Sequence, residues 1–198
     1  MLGNLMEKFF RPKPVKAESE VHLQGLILYR LKRKKFDCDL NNIDVSSITD
    51  MKNLFNGGGG LKEFNGDISQ WNVSNVKNMY AMFENTLFNG DISNWDVSNV
   101  TSMSSMFSQS QFNGDISKWN VSGVKDMSSM FYGSEFNGDI SNWDVSNVTD
   151  VTDMFKNSAL ERSGNIPDWY YKKSKELRAK EDWPGEDFDP EEEYDLEE

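Results

Sequence analysis

The chain has 198 residues, 37% apolar and 27% charged, with a formal net charge of −12. A single cysteine, Cys38, and a single histidine, His22, rule out an internal disulfide framework, a Cys/His zinc site and catalysis built on several histidines. The acidity argues against a nucleic-acid partner, and the longest apolar run, Gly25 to Leu31, is about half of the roughly 18 residues a membrane span needs.

Residues 1–35 carry nine Lys/Arg and three Glu, a local charge of +6. Their start lacks the basic, apolar and small-residue pattern of a secretory signal. The apolar run Leu26-Ile27-Leu28-Tyr29 is followed by the cluster Lys32-Arg33-Lys34-Lys35. Two readings stand: a cap over the first unit of the repeat region that starts at residue 36, or a dock for an acidic surface, this chain's own tail included.

From residue 36 the chain repeats. Phe64-Asn65-Gly66-Asp67-Ile68-Ser69 returns from Phe88, Phe112 and Phe136, each 24 residues on. A Trp comes next (71, 95, 119, 143), then Val-Ser, then a Met-rich stretch closing in Met-Phe (82–83, 106–107, 130–131, 154–155). Residues 36–55 are a degraded first copy, offset by 28, with the four extra residues placed at Gly57–Gly60. Gly164-Asn165-Ile166-Pro167-Asp168-Trp169 is a degraded last copy, offset by 26. Atypical ends suit a stack that must close its apolar interior. The units divide as 36–63, 64–87, 88–111, 112–135, 136–161 and a partial 162–169.

Within a unit, Asn-Gly-Asp is a turn signal, with Gly free to take positive φ. Trp-x-Val alternates as a short strand. The next Ser stands where a helix N-cap would, and Val76, Met79 and Phe83 share a helical face. The expected fold class is an α/β solenoid: a leucine-rich-repeat-like stack of 24-residue coils, parallel sheet on one side and short helices on the other, roughly 25 Å long. Residues 170–181 read as a short charged helix. Residues 182–198 read as an acidic mobile tail; Glu181 to Glu198 hold eleven acids and no base. Trp183, Phe188 and Tyr194 among those acids make a candidate docking peptide, against the plainer reading of a solubilising tail.

The string Phe-Asn-Gly-Asp-Ile-Ser-Asn-Trp-Asp-Val-Ser-Asn-Val-Thr, with its Met-rich close, resembles the BspA-like, mycoplasma-type surface-protein repeat, over residues 36–169. That family is grouped with the leucine-rich repeats. The resemblance implies a surface, secreted or virus-borne protein that sticks to other proteins or to host surfaces.

The residues divide into core and surface. Trp71, Trp95, Trp119 and Trp143 are assigned to the core rather than to an exposed sugar- or partner-binding stripe, because Ile43 fills the same slot in the first unit. Met79, Met103 and Met127 and both Phe series are assigned there too. Asp67, Asp91, Asp115 and Asp139 make a carboxylate ladder, read as turn residues in preference to calcium ligands. Asn65, Asn89, Asn113 and Asn137 are read as a buried structural ladder. Four glycosylation sequons, starting at Asn72, Asn99, Asn120 and Asn147, arise from the repeat and carry little weight.

No phosphate loop or nucleophile elbow is present, and four near-identical copies single out no acid or base. The expectation is a non-enzymatic module without cofactor or metal. It binds a protein or host surface through outward positions Gln70, Asn94, Lys118 and Asn142. The alternative is a structural or accessory component of a larger assembly such as a virion or cell-envelope complex. Without a recognisable leader, a cytoplasmic or virion-associated location is expected. Oligomeric state is left open.

Overall fold

Residues 14–34 and 36–180 are described by a computed structural model of the chain. Trp183, Phe188, Tyr194 and the rest of the acidic segment lie outside the described residues. So do residues 1–13.

The chain enters through a two-residue strand, β1 (Val15–Lys16), paired in parallel with β2 (Ile43–Asp44). Between them runs helix α1 (Glu20–Lys34). Its apolar residues Leu23, Ile27 and Leu31 recur every four positions and are buried in the same core as the first repeat's Leu40, Ile43 and Val45. Each side chain of that size contributes about 1.5–3 kcal/mol when buried, so the helix is held by its inner face. Short helix α2 (Ala159–Arg162) and helix α3 (Asp168–Lys180) come after the last full repeat.

The repeats stack directly on one another. Amides of Met79, Ala81, Phe83 and Asn85 donate to the carbonyls of Ser102, Ser104, Met106 and Ser108 at 2.8–2.9 Å. Met103, Ser105, Phe107 and Gln109 do the same to the next unit, and Met127, Ser129, Phe131 and Gly133 to the one after. Parallel bridges connect Asp50, Asn78, Ser102, Asp126 and Asp150 in turn. Inside, two phenylalanine columns run side by side. One steps Phe55–Phe83–Phe107–Phe131–Phe155 at 5.5–5.8 Å, the other Phe64–Phe88–Phe112–Phe136 at 5.8–6.3 Å. Offset stacking of this kind adds to the area the rings bury.

The two halves of the repeat take forms other than those the local pattern predicts. Val76 to Phe83 is not a helix; among the described residues no helix lies between Gly59 and Ala159. It is a run of turns (Met82 amide to Met79 carbonyl, 3.2 Å; Glu84 to Ala81, 3.3 Å) whose alternate amides reach the next repeat. Ala81 and Asn85 have φ of 51° and 53°, and Ser105/Gln109, Ser129/Gly133 and Asp153/Asn157 repeat the pattern. A left-handed residue every fourth position prevents the turns from winding into a helix. Trp-x-Val, in turn, makes no backbone ladder. It closes local turns instead: the Trp71 amide donates to the Ile68 carbonyl, and the Val73 carbonyl accepts from the Val76 amide.

The glycine of Asn-Gly-Asp also has a different purpose. Gly66, Gly90, Gly114 and Gly138 do not have positive φ. Each lies under the Phe two residues earlier, so that an added Cβ would meet ring atoms at 2.8–2.9 Å. At the first unit, Gly57–Gly59 forms a 3-10 turn that takes up the extra residues. Phe55 and Phe64 nevertheless stack at 3.9 Å, in the relation that Phe83 and Phe88 have at 4.2 Å. Gly57 is obligatory there, because a Cβ would fall 1.9 Å from the Asn85 carbonyl oxygen.

Candidate interaction face

Each repeat exposes polar side chains along its Asn-Gly-Asp to Trp-x segment, residues 65–72 and their copies. Alternation with buried Ile68, Trp71 and Val73 forces the residues between them outward. Four columns result, all exposed: Asn65/89/113/137, Asp67/91/115/139, Gln70/Asn94/Lys118/Asn142 and Asn72/Asp96/Asn120/Asp144.

Hydrogen bonds set these columns in place. Asn65 Oδ1 accepts from the Asn89 amide at 2.8 Å, and Asn89 and Asn113 repeat this one unit on. The asparagine ladder is therefore real, but it is exposed and not buried as the sequence suggested. The bond is made by a loop backbone at the surface, so no interior site is needed. Asp91 and Asp115 each accept from the amide and hydroxyl of the Ser two residues on, at 2.7–3.0 Å. Asp96 binds Ser98 in the same way. The serines predicted as helix caps thus close Asx turns.

These bonds stabilise the ionised carboxylates. The Ser93 amide and hydroxyl hold Asp91 below the usual carboxylate range, against repulsion from Asp67 and Asp115 on either side. The Ser117 hydroxyl and amide do the same for Asp115, and those of Ser98 for Asp96. Among the described residues no group of three His, Cys, Asp or Glu is placed to hold a metal ion.

The four tryptophans are buried, 4–5% exposed. Each indole Nε1 donates to the carbonyl of the preceding unit's Leu40, Ile68, Ile92 or Ile116 at 3.1–3.2 Å. Trp169 of the degraded last copy still finds Ile140 O at 2.9 Å. Because that copy is out of step by two residues, a cleft of about 240 Å³ opens beside it, between Asn137–Ser141 and Leu160, Asn165 and Pro167. Of the sequons, Asn99 and Asn147 spend their Nδ2 on the carbonyls of Ser74 and Ser122.

Gln70, Asn94, Lys118 and Asn142 are all exposed. Gln70 is fixed by its own amide, which donates to Asn41 Oδ1 at 2.8 Å. Sequence reasoning missed the neighbouring column at 72, 96, 120 and 144. The signal was present: an Asn or Asp two residues before every Val-Ser serine.

Stacked near-identical units with bonds between every neighbour define a repeat protein. The chain belongs to the family described as mycoplasma protein of unknown function, DUF285, whose model matches residues 28–133 and 87–180. No curated protein and no solved structure matches it. Among the described residues no helix is long and apolar enough to cross a membrane.

Proposed function

We propose that this chain is a non-enzymatic interaction module, a leucine-rich-repeat-like solenoid that binds another protein or a host surface. Binding runs through the exposed carboxylate and amide columns of residues 65–72 and their copies. The observation that carries the reading is their fourfold repetition in register: Asn, Asp and a variable position recur at one spacing. Equal weak contacts then act together. Most apolar and aromatic side chains of the units are consumed inside the stack, Tyr80 and Leu87 excepted, which leaves polar recognition to this face. Catalysis needs one asymmetric constellation, and every carboxylate of this face recurs in at least one other unit. The test takes a partner cross-linked from the source cells and then purified. Replacing Gln70, Asn94, Lys118 and Asn142 together by Ala is expected to weaken its binding by about tenfold or more, some 1.4 kcal/mol, with unchanged thermal unfolding. Unchanged binding overturns the reading.

A second reading, a structural or accessory component of a virion or cell-envelope assembly, is favoured by the ends. Helices α1 and α3 cover them and still expose Val21, Leu28, Tyr29 and Tyr171. Loss of assembly on removing residues 1–35 or 182–198, with the repeats still folded, supports it; assembly that survives both truncations overturns it.

A further inference from the structure

We propose that the outward face of α1 is a docking site for residues 181–198 of a second copy of this chain, so that copies join head to tail. This goes beyond the partner face above and does not depend on it.

Three observations carry the proposal. First, among the described residues six large apolar side chains are exposed, and three of them lie on this one helix: Val21, Leu28 and Tyr29, at 78%, 46% and 55%. Nothing lies within 4 Å of where a Gly25 Cβ would be, which leaves a dip between them. The inner face, Leu23, Ile27 and Leu31, is already spent on the core, so the outer stripe stabilises nothing within the described fold. Second, the stripe ends in cations. Lys32 and Arg33 are exposed. The Arg33 guanidinium lies 5.3 Å from the Tyr29 ring centroid, and its Nη1 donates to the Tyr29 hydroxyl at 2.6 Å. Residues 1–35 are the most basic stretch of the chain, at +6; residues 170–180 sum to +4 but expose only Tyr171 beside their cations. Third, residues 181–198 supply the complement: eleven acids, no base, and Trp183, Phe188 and Tyr194 among them. Aromatic rings would cover the apolar stripe while neighbouring carboxylates meet the cations.

Position in the stack points to a second copy. Helix α3 touches the last repeat, with Trp169 on Ile140, Lys173 on Ser146 and Tyr170 on Phe155. Helix α1 packs at the other end. The Phe55 to Phe155 column between the two ends is four steps of 5.5–5.8 Å, roughly 23 Å in all. Folding back on its own chain would spend part of residues 181–198, Trp183 first, on crossing that stack. A second copy placed end to end brings the whole segment onto the face, and such a contact is heterologous and open-ended.

The test is sedimentation velocity on the full chain across a concentration series, at low salt and at about 1 M salt, where charges are screened beyond about 3 Å. Mass is expected to rise with concentration at low salt and to fall back toward monomer at high salt. Removing residues 181–198, or making Leu28→Glu with Arg33→Glu, is expected to leave monomers. Mixing those two variants, one with the face and one with the tail, should restore a one-to-one dimer and no larger species. A monomer at every concentration, or a mixture that fails to pair, overturns the proposal. Cross-links between tail and α1 confined to one chain also overturn it, as do cross-links from residues 1–13 filling the same face. So does self-association unchanged by tail removal while the face variant loses binding to RNA or anionic vesicles. Each of these leaves the partner-face reading untouched, because none involves residues 65–72.

Discussion

Residues 65–76 and residues 77–87 stack with the same period, yet different bonds hold them. In the second half the main chain does the joining, through alternate amides given to the next unit. In the first half side chains do most of it, through indole Nε1 to carbonyl, Asn Oδ1 from amide and Asn Nδ2 to carbonyl, with main-chain bonds from Asn65 and Asp67 to the first unit. A main-chain ladder is indifferent to side chains on its outer surface. A side-chain ladder fixes the residue type at each of its positions. The comparison accounts for the strict Asn-Gly-Asp-Ile-Ser and the loose Tyr80, Ser104, Ser128 and Thr152 at corresponding places.

Both halves share one interior, so the largest effect comes from removing it. Phe107→Ala takes out a ring stacked on Phe83, Phe131 and Phe112 at 5.7, 5.8 and 4.2 Å. A loss of about 3–5 kcal/mol in denaturant unfolding is expected. Next comes Gly114→Ala, which drives a methyl into Phe112 ring atoms 2.9 Å away. That ring is pinned between Phe88 and Phe136 and cannot step aside, so about 1–3 kcal/mol is lost. Trp119→Phe keeps most of the buried area but removes the indole bond, so that the Ile92 carbonyl retains only the Trp95 amide. The expected cost is about 0.5–1.5 kcal/mol; a neutral result would show that side-chain bonds do not hold the first half.

The period, the core and the burial of the tryptophans were legible because they rest on apolar spacing alone. Ile43 in the slot of Trp71 disclosed burial by residue type alone. The local form of each half was not legible. Met79, Met82 and Phe83 have the spacing of a helix face, and nothing in Ala81, Ser105 or Ser129 announces a left-handed backbone. Neighbouring units impose it by accepting their amides. Gly66 misled for a related reason: the need for glycine lies in the Cys38 carbonyl and the Phe64 ring packed against it, not in its own φ. The exposed columns could be read residue by residue, but their second member at 72 and 96 appears only when its Ser partner is seen to close a turn.

Strain in the second half offers a smaller test with the opposite sign. Gln109 is exposed and has φ 54°, whereas the same place one repeat later is Gly133, with φ 61°. The left-handed region costs a side-chain-bearing residue about 1–2 kcal/mol, and glycine entropy offsets part of its relief. Gln109→Gly should therefore raise stability by up to about 1 kcal/mol. Destabilisation would mean that the Gln side chain contributes more than its exposure suggests.

The smallest effect per group is the pH dependence of the first half. Asp91, Asp96, Asp115, Asp139 and Asp144 all have folded-state pKa values below the ordinary 3.8, through the Ser amide and hydroxyl that each binds. A lowered carboxyl pKa means that the unfolded chain takes up protons first. The stabilisation is complete above the ordinary value and disappears as pH falls through the lower, folded ones. Melting temperature should thus be level near neutrality and fall only in strong acid. The chain contains its own control: Asn72 and Asn120 make the same contact without charge, accepting from the Ser74 and Ser122 amides at 3.1 and 3.2 Å. Asp96→Asn with Asp144→Asn should keep the turns and flatten the acid limb. A large loss at neutral pH would mean that the charge itself, and not the acceptor oxygen, holds that column; Lys173, whose charge acts on Asp144, would be the first place to look.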